Sequence, residues 1–186
     1  MNATAAPTLV SAEEFLRLHG DDSGVELVDG QIVRTAMPGF EHGDICMRAG
    51  VILSNFVYAN NLGRVLGNDT FIRTRTNPDG FRGADVCYVS YERYAKELPR
   101  PKGPVVPPIE LVVEVKSPSD TILEMTNKAT EYLAAGVKVV MVLDPETESA
   151  AVYRADEFPH RFHNGDSVVL PDILPGFSVP VAKFFE

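Results

Sequence analysis

Two acidic residues and a lysine, divided between two stretches of the sequence, carry its clearest chemical signal. Asp85 stands in mid-chain, and Glu114, Val115 and Lys116 form a Glu-x-Lys tripeptide. Two carboxylates and the backbone carbonyl of Val115 are hard oxygen ligands of the kind that Mg²⁺ prefers. Such a metal ion lowers the pKa of a bound water and neutralises charge on a phosphate. Lys116 would hold or activate the attacking water, or stabilise the transition state. The pattern therefore indicates metal-assisted hydrolysis of a phosphodiester, and the alternative from the residues alone is a plain ion pair between Glu114 and Lys116 at the end of a strand.

The elements around the tripeptide follow a strand–helix–strand order. The sequence predicts a strand over residues 109–116, a helix capped by Ser119 or Asp120 that ends near Ala135, and a strand over 137–143. This order is typical of two parallel strands joined by a crossover helix. Because side chains alternate along a strand, Glu114 and Lys116 share one face. We expect that face to point outward at the carboxyl end of the strand, where open α/β sheets bind ligands.

Asp85 must reach the same place from a neighbouring strand. Residues 64–75 read as one strand, residues 77–80 (Asn-Pro-Asp-Gly) as a turn, and residues 85–90 as the returning strand, which Asp85 begins. If this strand pairs with residues 109–116, the two carboxylates converge and the lysine lies beside them. The predicted chemistry depends on that convergence.

The remaining pattern predicts a central mixed sheet flanked by helices. It indicates a helix over residues 11–18, an N-terminal hairpin over 26–34, a helix over about 41–59, and an edge strand over 150–153. We expect an α/β fold with a single domain over residues 1–186. Residues 1–10 and the proline-rich loop 99–108 are predicted to be irregular, and Phe184 and Phe185 to dock on the core.

Charge limits the possible partners. The chain has 17 Lys and Arg against 26 Asp and Glu, a net charge of -9. This balance opposes tight nucleic-acid binding, because that affinity comes largely from neutralised phosphates. The bases are nevertheless concentrated between residues 71 and 102, where seven bases face four acids. Arg73, Arg75 and Arg82 in this stretch are candidate phosphate contacts, although a basic strand face is usually only solvated.

The cysteines and apolar runs indicate a cellular compartment. Cys46 and Cys87 have no cysteine or histidine partner at the spacing of metal ligands, and we interpret them as small buried residues of a reducing compartment. The apolar runs are far shorter than the ~20 residues of a membrane span. The N-terminus lacks a basic start and an apolar stretch of signal-peptide length. We therefore expect a cytoplasmic protein.

Three further residues are candidates for catalytic roles, each with a plainer alternative. Glu41 could point at the metal from the start of the long helix, or act only as a favourable charge near the helix dipole. His42 could touch a phosphate or orient Glu41, or be solvated. Lys128 could lean toward the site, or form a surface pair with Glu124 or Glu131.

A series of segments carries a family resemblance. They are residues 26–33 (ELVDGQIV), 41–42 (EH), 84–90 (ADVCYVS), 109–120 (IELVVEVKSPSD), Lys128, 131–137 (EYLAAGV), 142–146 (VLDPE) and 175–179 (PGFSV). In these segments the chain resembles the bacterial restriction-endonuclease-like family of the PD-(D/E)xK nuclease superfamily. The resemblance implies that superfamily's fold and Mg²⁺-dependent DNA cleavage, with Asp85 and Glu114 as metal ligands and Lys116 as the catalytic lysine. Ala84 replaces the family's proline, a change of little expected effect because proline only stiffens the backbone.

The sequence therefore predicts an endodeoxyribonuclease that uses Mg²⁺ or Mn²⁺ and binds DNA weakly and without base specificity. A homodimer is plausible because a duplex has two strands to cut. Two other functions stay open. A non-catalytic interaction module could have kept the nuclease scaffold, since fold does not dictate function. A metal-dependent hydrolase of a small phosphorylated substrate would explain the acidic balance. Metal titration separates the three.

Overall fold

The strands form one large mixed sheet and one small sheet. A computed structural model of the chain describes residues 9–35 and 39–186. In this part of the chain, the large sheet contains β1 (Val25–Val28), β2 (Gln31–Arg34), β3 (Gly63–Thr76), β4 (Asp79–Ser90), β5 (Ile109–Val115), β6 (Val137–Asp144), β7 (Ser149–Tyr153) and β8 (His160–Phe162). The small sheet pairs β9 (Ser167–Val169) with β10 (Ser178–Pro180). The helices are α1 (Ala12–His19), α2 (Phe40–Ala59), α3 (Ile122–Ala135) and a 3-10 helix (Val181–Phe184). None of the helices in the described ranges is long and apolar enough to cross a membrane.

The order of the large sheet is β2-β1-β4-β5-β6-β7-β8, and β3 pairs with β4. β5 and β6 are parallel and joined by α3, which confirms the predicted crossover. The β1–β2 hairpin turns at Asp29 and Gly30, whose φ angles of 49° and 73° are typical of the tight hairpin turn that Asp-Gly favours. The fold is thus the expected mixed α/β sheet with an N-terminal hairpin.

α3 begins at a different cap from either predicted one. The Thr121 hydroxyl accepts a hydrogen bond from the Glu124 backbone N–H, and the Glu124 carboxylate accepts one from the Thr121 N–H, forming a capping box. Asp120 instead accepts from the Ser117 N–H. The helix ends at Gly136 with φ 105°, as the sequence predicts.

Helices cover both faces of the sheet. On one face, α2 and the C-terminal segment bury Leu53, Leu111, Val113, Leu174 and Phe184 in a common core. On the other, α3 buries Val112, Met125, Ala129, Tyr132 and Val140. Phe184 is fully buried, so its predicted docking is confirmed. Because the side chains of β5 alternate, Glu114 lies on the face that α3 covers.

One predicted strand has the wrong extent, and another has the wrong position in the sheet. β4 begins at Asp79, so Asp85 lies in the middle of this strand and not at its start. β7 is not an edge strand, because it pairs with β6 on one side and with β8 on the other. Within the proline-rich loop, Val105 pairs with Ile72 of β3 through an isolated bridge. Residues 1–8 of the predicted irregular N-terminus lie outside the described residues.

Candidate active site

Asp85 lies at the point where two partner strands of β4 separate. β1 pairs with β4 at Phe81, β5 pairs with it from Val86 onward, and β3 follows the other edge of the strand. Val86 faces Val113, so the antiparallel register continues with Asp85 beside Glu114. The Asp85 Oδ2 accepts a hydrogen bond of 2.7 Å from the Val115 N–H. The two carboxylates that the sequence singles out are therefore neighbours at the carboxyl end of β5.

Glu114 does not face outward as predicted; α3 covers it, and only 3% of the residue is exposed. Lys128 of α3 donates to Glu114 Oε2 at 2.8 Å, and the Tyr132 hydroxyl donates to Oε1 at 2.8 Å. Burial raises the pKa of Glu114, and the charge of Asp85 raises it further, while Lys128 opposes both. Lys128 thus joins the site by a direct contact, whereas neither Glu124 nor Glu131 is its salt-bridge partner in the described part of the chain.

A buried charge network continues from Lys128 to the N-terminal hairpin. A Glu26 oxygen of β1 lies 3.3 Å from Lys128 Nζ, and Glu26 accepts a hydrogen bond of 2.9 Å from Arg82 Nη1. Arg82 also donates through Nε to Glu131 at 2.8 Å. Burial alone would raise the pKa of Glu26, but Lys128 and Arg82 together hold it below its ordinary value. The Arg82 guanidinium is therefore already shared between two carboxylates.

Lys116 points away from the two carboxylates in this conformation. It does not face outward as predicted either, since only 7% of the residue is exposed. Its Nζ lies 3.2 Å from a Glu146 oxygen and 3.7 Å from an Asp144 oxygen. These contacts hold the pKa of Lys116 above its ordinary value although burial opposes them. Lys116 follows the last residue of β5, and its charged group has different partners from that of Glu114.

His42 and Cys46 reach Asp85 from the first turns of α2. His42 Nε2 lies 3.0 Å from the Val115 carbonyl oxygen and 3.5 Å from Asp85 Oδ2. Cys46 Sγ lies 3.4 Å from His42 Nδ1. The interpretation of Cys46 as a cysteine without a histidine at ligand spacing is therefore wrong, because His42 precedes it by one helical turn. Burial and the charge of Asp85 raise the pKa of the Cys46 thiol.

A bulge in β3 brings another acid close to Asp85. Gly67 pairs with Val86 and Thr70 with Ala84, so two residues of β3 oppose the single Asp85. The bulged residues have positive φ, 65° for Asn68 and 51° for Asp69. Burial raises the pKa of Asp85, and Asp69 raises it further, while His42 and Lys128 lower it. Bulges commonly occur beside active sites, where they re-aim a side chain.

Two adjoining cavities give access to these groups. One, of about 550 Å³, is lined by Asp85, Glu114, Lys128, Arg82 and His42. The other, of about 640 Å³, is lined by Lys116, Glu41, Glu146 and also by His42. His42, Ser117 and Ser119 line both cavities, so they form the boundary between the carboxylates and Lys116. Glu41 is exposed and lies on the Lys116 side of this boundary.

The other predicted phosphate contacts lie toward the hairpin. Arg73 pairs with Asp79 at 2.8 Å, and Arg75 pairs with Asp29. Among the described residues, neither arginine lines the cavity of Asp85. The structure therefore brings Arg82, but not Arg73 or Arg75, to the candidate site.

Sequence reasoning missed four residues of the site. They are Glu26, Asp69, Tyr132 as a partner of Glu114, and Cys46. Two signals were available: Glu26 interrupts an apolar strand, and His42 stands four residues before Cys46. The sequence gives no such signal for Asp69, because a bulge in β3 determines its position. It gives none for the Tyr132 hydroxyl either, because that contact joins α3 to β5.

Comparison with known proteins assigns the chain to a family. The model of the Uma2 family, described as "Putative restriction endonuclease", matches residues 12–182. The fold is similar to that of a crystal structure from Anabaena variabilis ATCC 29413, titled a "putative nuclease belonging to DUF820". That similarity has a TM-score of 0.79 at 19% identity over 96% of this chain and 98% of the other. No curated protein matches the sequence. Because the family model covers nearly the whole chain, the chain belongs to the Uma2 family of restriction-endonuclease-like proteins.

Proposed function

We propose that the chain is an endonuclease that hydrolyses phosphodiester bonds of DNA with bound Mg²⁺ or Mn²⁺. The observation that carries the proposal is the meeting of Asp85 and Glu114 at the end of β5, beside the Val115 carbonyl and an open cavity. The family match supports a nuclease-like function. The metal, the DNA substrate and the residue roles are our inferences.

The donor set fits a hard divalent cation. Asp85 and Glu114 supply carboxylate oxygens and Val115 supplies a carbonyl, which are the ligands that Mg²⁺ prefers. The charge balance also favours a cation, because three carboxylates of the network (Glu26, Glu114 and Glu131) face two basic side chains, Arg82 and Lys128, and Asp85 lies beside them with His42 3.5 Å away. A divalent charge beside Asp85 would offset this excess and lower the pKa of both candidate ligands, which burial raises and neighbouring carboxylates raise further.

Each residue of the candidate site has a separate role in this proposal. When bound, the metal would polarise the phosphate and lower the pKa of an attacking water. Lys128 and Tyr132 hold both oxygens of Glu114, so this carboxylate keeps one orientation. Lys116 supplies a positive charge that stabilises the charge of the transition state. In this conformation Lys116 Nζ lies 3.2 Å from Glu146 and 3.7 Å from Asp144, so the lysine must leave both partners to act beside the carboxylates.

We further propose that DNA binding is weak and lacks base specificity, since the net charge of -9 repels the phosphates. Arg73 and Arg75 remain our candidate phosphate contacts, because partly exposed ion pairs can exchange their carboxylate for a phosphate at little cost. A homodimer and a cytoplasmic location also remain proposals. Both cysteines are free thiols.

Cleavage of a supercoiled plasmid tests the proposal. The metal-free protein should leave the plasmid intact, and addition of Mg²⁺ or Mn²⁺ should convert it to the nicked form. Nicking should weaken between low and moderate salt, because each neutralised phosphate adds to the salt dependence. Gel electrophoresis measures the conversion, with EDTA as the control.

The same assay discriminates between the alternatives. An interaction module would bind neither cation and would leave the plasmid intact. A hydrolase of small phosphorylated substrates would bind the cation, spare the plasmid and hydrolyse a chromogenic phosphodiester. Either result would overturn the proposed DNA nuclease, as would nicking that persists in EDTA.

A further inference from the structure

Three different metal-ligating side chains meet where α2 passes β4. One ligand atom from each of His42, Cys46 and Asp85 lies within 4.8 Å of the other two. His42 and Cys46 stand one turn apart on the same helix, so their side chains project from one face. All three side chains are partly accessible rather than sealed in the core. This set differs from the pair of carboxylates, because it contains a thiol and an imidazole.

The hydrogen bonds of His42 leave one ring nitrogen directed at the thiol. The Val115 carbonyl can only accept a hydrogen bond, so the nitrogen that faces it at 3.0 Å, Nε2, carries the proton. In the neutral ring, Nδ1 then has a free lone pair. Cys46 Sγ lies 3.4 Å from this atom, within the distance of a sulfur hydrogen bond. A cation that replaces the thiol proton would be bound by both Sγ and Nδ1.

We propose that His42, Cys46 and Asp85 form a site for a thiophilic divalent cation of the Zn²⁺ class. Tetrahedral zinc with its usual bond lengths separates a nitrogen and a sulfur ligand by about 3.5 Å, which agrees with the 3.4 Å between Nδ1 and Sγ. Asp85 supplies the third ligand, and water or substrate the fourth. Binding releases the thiol proton to solvent, because the thiolate is the ligand form.

The ligand chemistry distinguishes this site from the proposed magnesium site. Thiolate and imidazole select zinc and related transition metals, whereas Mg²⁺ prefers oxygen ligands and keeps several waters. The two sites share Asp85, so they compete for one carboxylate. A zinc ion held by Cys46 therefore withdraws Asp85 from the catalytic metal and inhibits cleavage. The inhibition rests on the proposed function, but the binding does not.

Cobalt titration of the metal-free full-length chain tests the binding directly. Co²⁺ substitutes for Zn²⁺ and gives a near-ultraviolet charge-transfer band only when a thiolate ligates it. The experiment compares wild type, Cys46→Ser and the matched control Cys87→Ser, whose thiol is buried in β4 and is not one of the three clustered ligands. Circular dichroism and thermal unfolding verify that the variants fold, and Cys46→Ala replaces Cys46→Ser if that variant does not.

We expect the band in wild type and Cys87→Ser and its absence in the Cys46 variant. In competition with cobalt, zinc should bind the Cys46 variant at least about tenfold more weakly than wild type. Replacing a residue that only supports a metal ligand already lowers metal affinity by about this factor, so losing a ligand should lower it at least as much. An unchanged band in the Cys46 variant, or no band in wild type, would overturn the site.

Inhibition is measured separately, as the fraction of each variant's own zinc-free rate of plasmid nicking. Low zinc should inhibit wild type strongly and the Cys46 variant weakly. Equal inhibition of both would overturn the inhibitory role. If the chain cuts no DNA at all, the proposed function fails, and the cobalt band still decides whether the zinc site exists.

Discussion

Replacing Lys116 with alanine is expected to slow Mg²⁺-dependent nicking of plasmid DNA by about 100- to 1,000-fold. Loss of a single group that stabilises transition-state charge typically has an effect of this size. Removal of Lys116 frees Glu146, whose side chain is 80% exposed, while Asp144 keeps its hydrogen bond from the Glu146 N–H, so the fold should persist. Initial rates at saturating Mg²⁺ measure the loss, and circular dichroism checks the fold.

Lys183→Ala is the matched control for this prediction. Lys183 is also a lysine with a nearby glutamate partner, but 57% of its side chain is exposed and it lies in the C-terminal 3-10 helix. Its replacement should leave the rate within about twofold of wild type, because exposed ion pairs contribute little. Full cleavage by Lys116→Ala would remove Lys116 from the mechanism. An equal loss in Lys183→Ala would show that the rate depends on the net charge of the protein and not on the position of Lys116.

Replacing Lys128 with methionine is expected to destabilise the metal-free protein by about 3–5 kcal/mol at pH 8, the usual effect of removing one partner of a buried ion pair. The change leaves Glu26 and Glu114 without their shared cation. Unfolding in urea, followed by circular dichroism, measures the loss. Lys138→Met is the matched control, because Lys138 lies 3.6 Å from the buried Glu110 but 42% of its side chain is exposed. It should cost less than about 1 kcal/mol.

The effect of Lys128→Met should decrease as the pH falls. Lys128 lowers the pKa of Glu114, so its removal lets burial and Asp85 raise that pKa further. A carboxyl whose pKa is raised by folding destabilises the native state above its unfolded pKa, and protonation removes the penalty. The difference from wild type should therefore be smaller at pH 5 than at pH 8. A difference that grows toward pH 5 would contradict the assigned contact.

The sequence predicts best those elements whose pattern is local. The apolar run 109–116 and the Gly136 stop each contain their own signal, and both are confirmed. The start of α3 was predictable in principle, since Thr121 and Glu124 form a capping box. It was missed because Ser119, Asp120 and Thr121 are all good caps and only Glu124 distinguishes them.

Other features depend on contacts between distant segments. The first half of β4 contains Gly80, Arg82 and Gly83, which break the strand pattern, yet pairing with β1 and β3 makes it a strand. Alternation along β5 indicated that Glu114 and Lys116 share a face, but not that α3 covers Glu114. The contact of Glu26 with Lys128 joins the N-terminal hairpin to α3 and leaves no local trace in the sequence.

A crystal structure from crystals grown with Mn²⁺, with an anomalous difference map to locate the manganese, tests the central claim most directly. We expect one peak, for an ion bound by oxygens of Asp85, Glu114 and the Val115 carbonyl. The metal–oxygen distances should be about 2.0–2.1 Å, as for a hard octahedral cation. An absence of any such peak, with Glu114 still bound only by Lys128 and Tyr132, would contradict the proposed hydrolytic site.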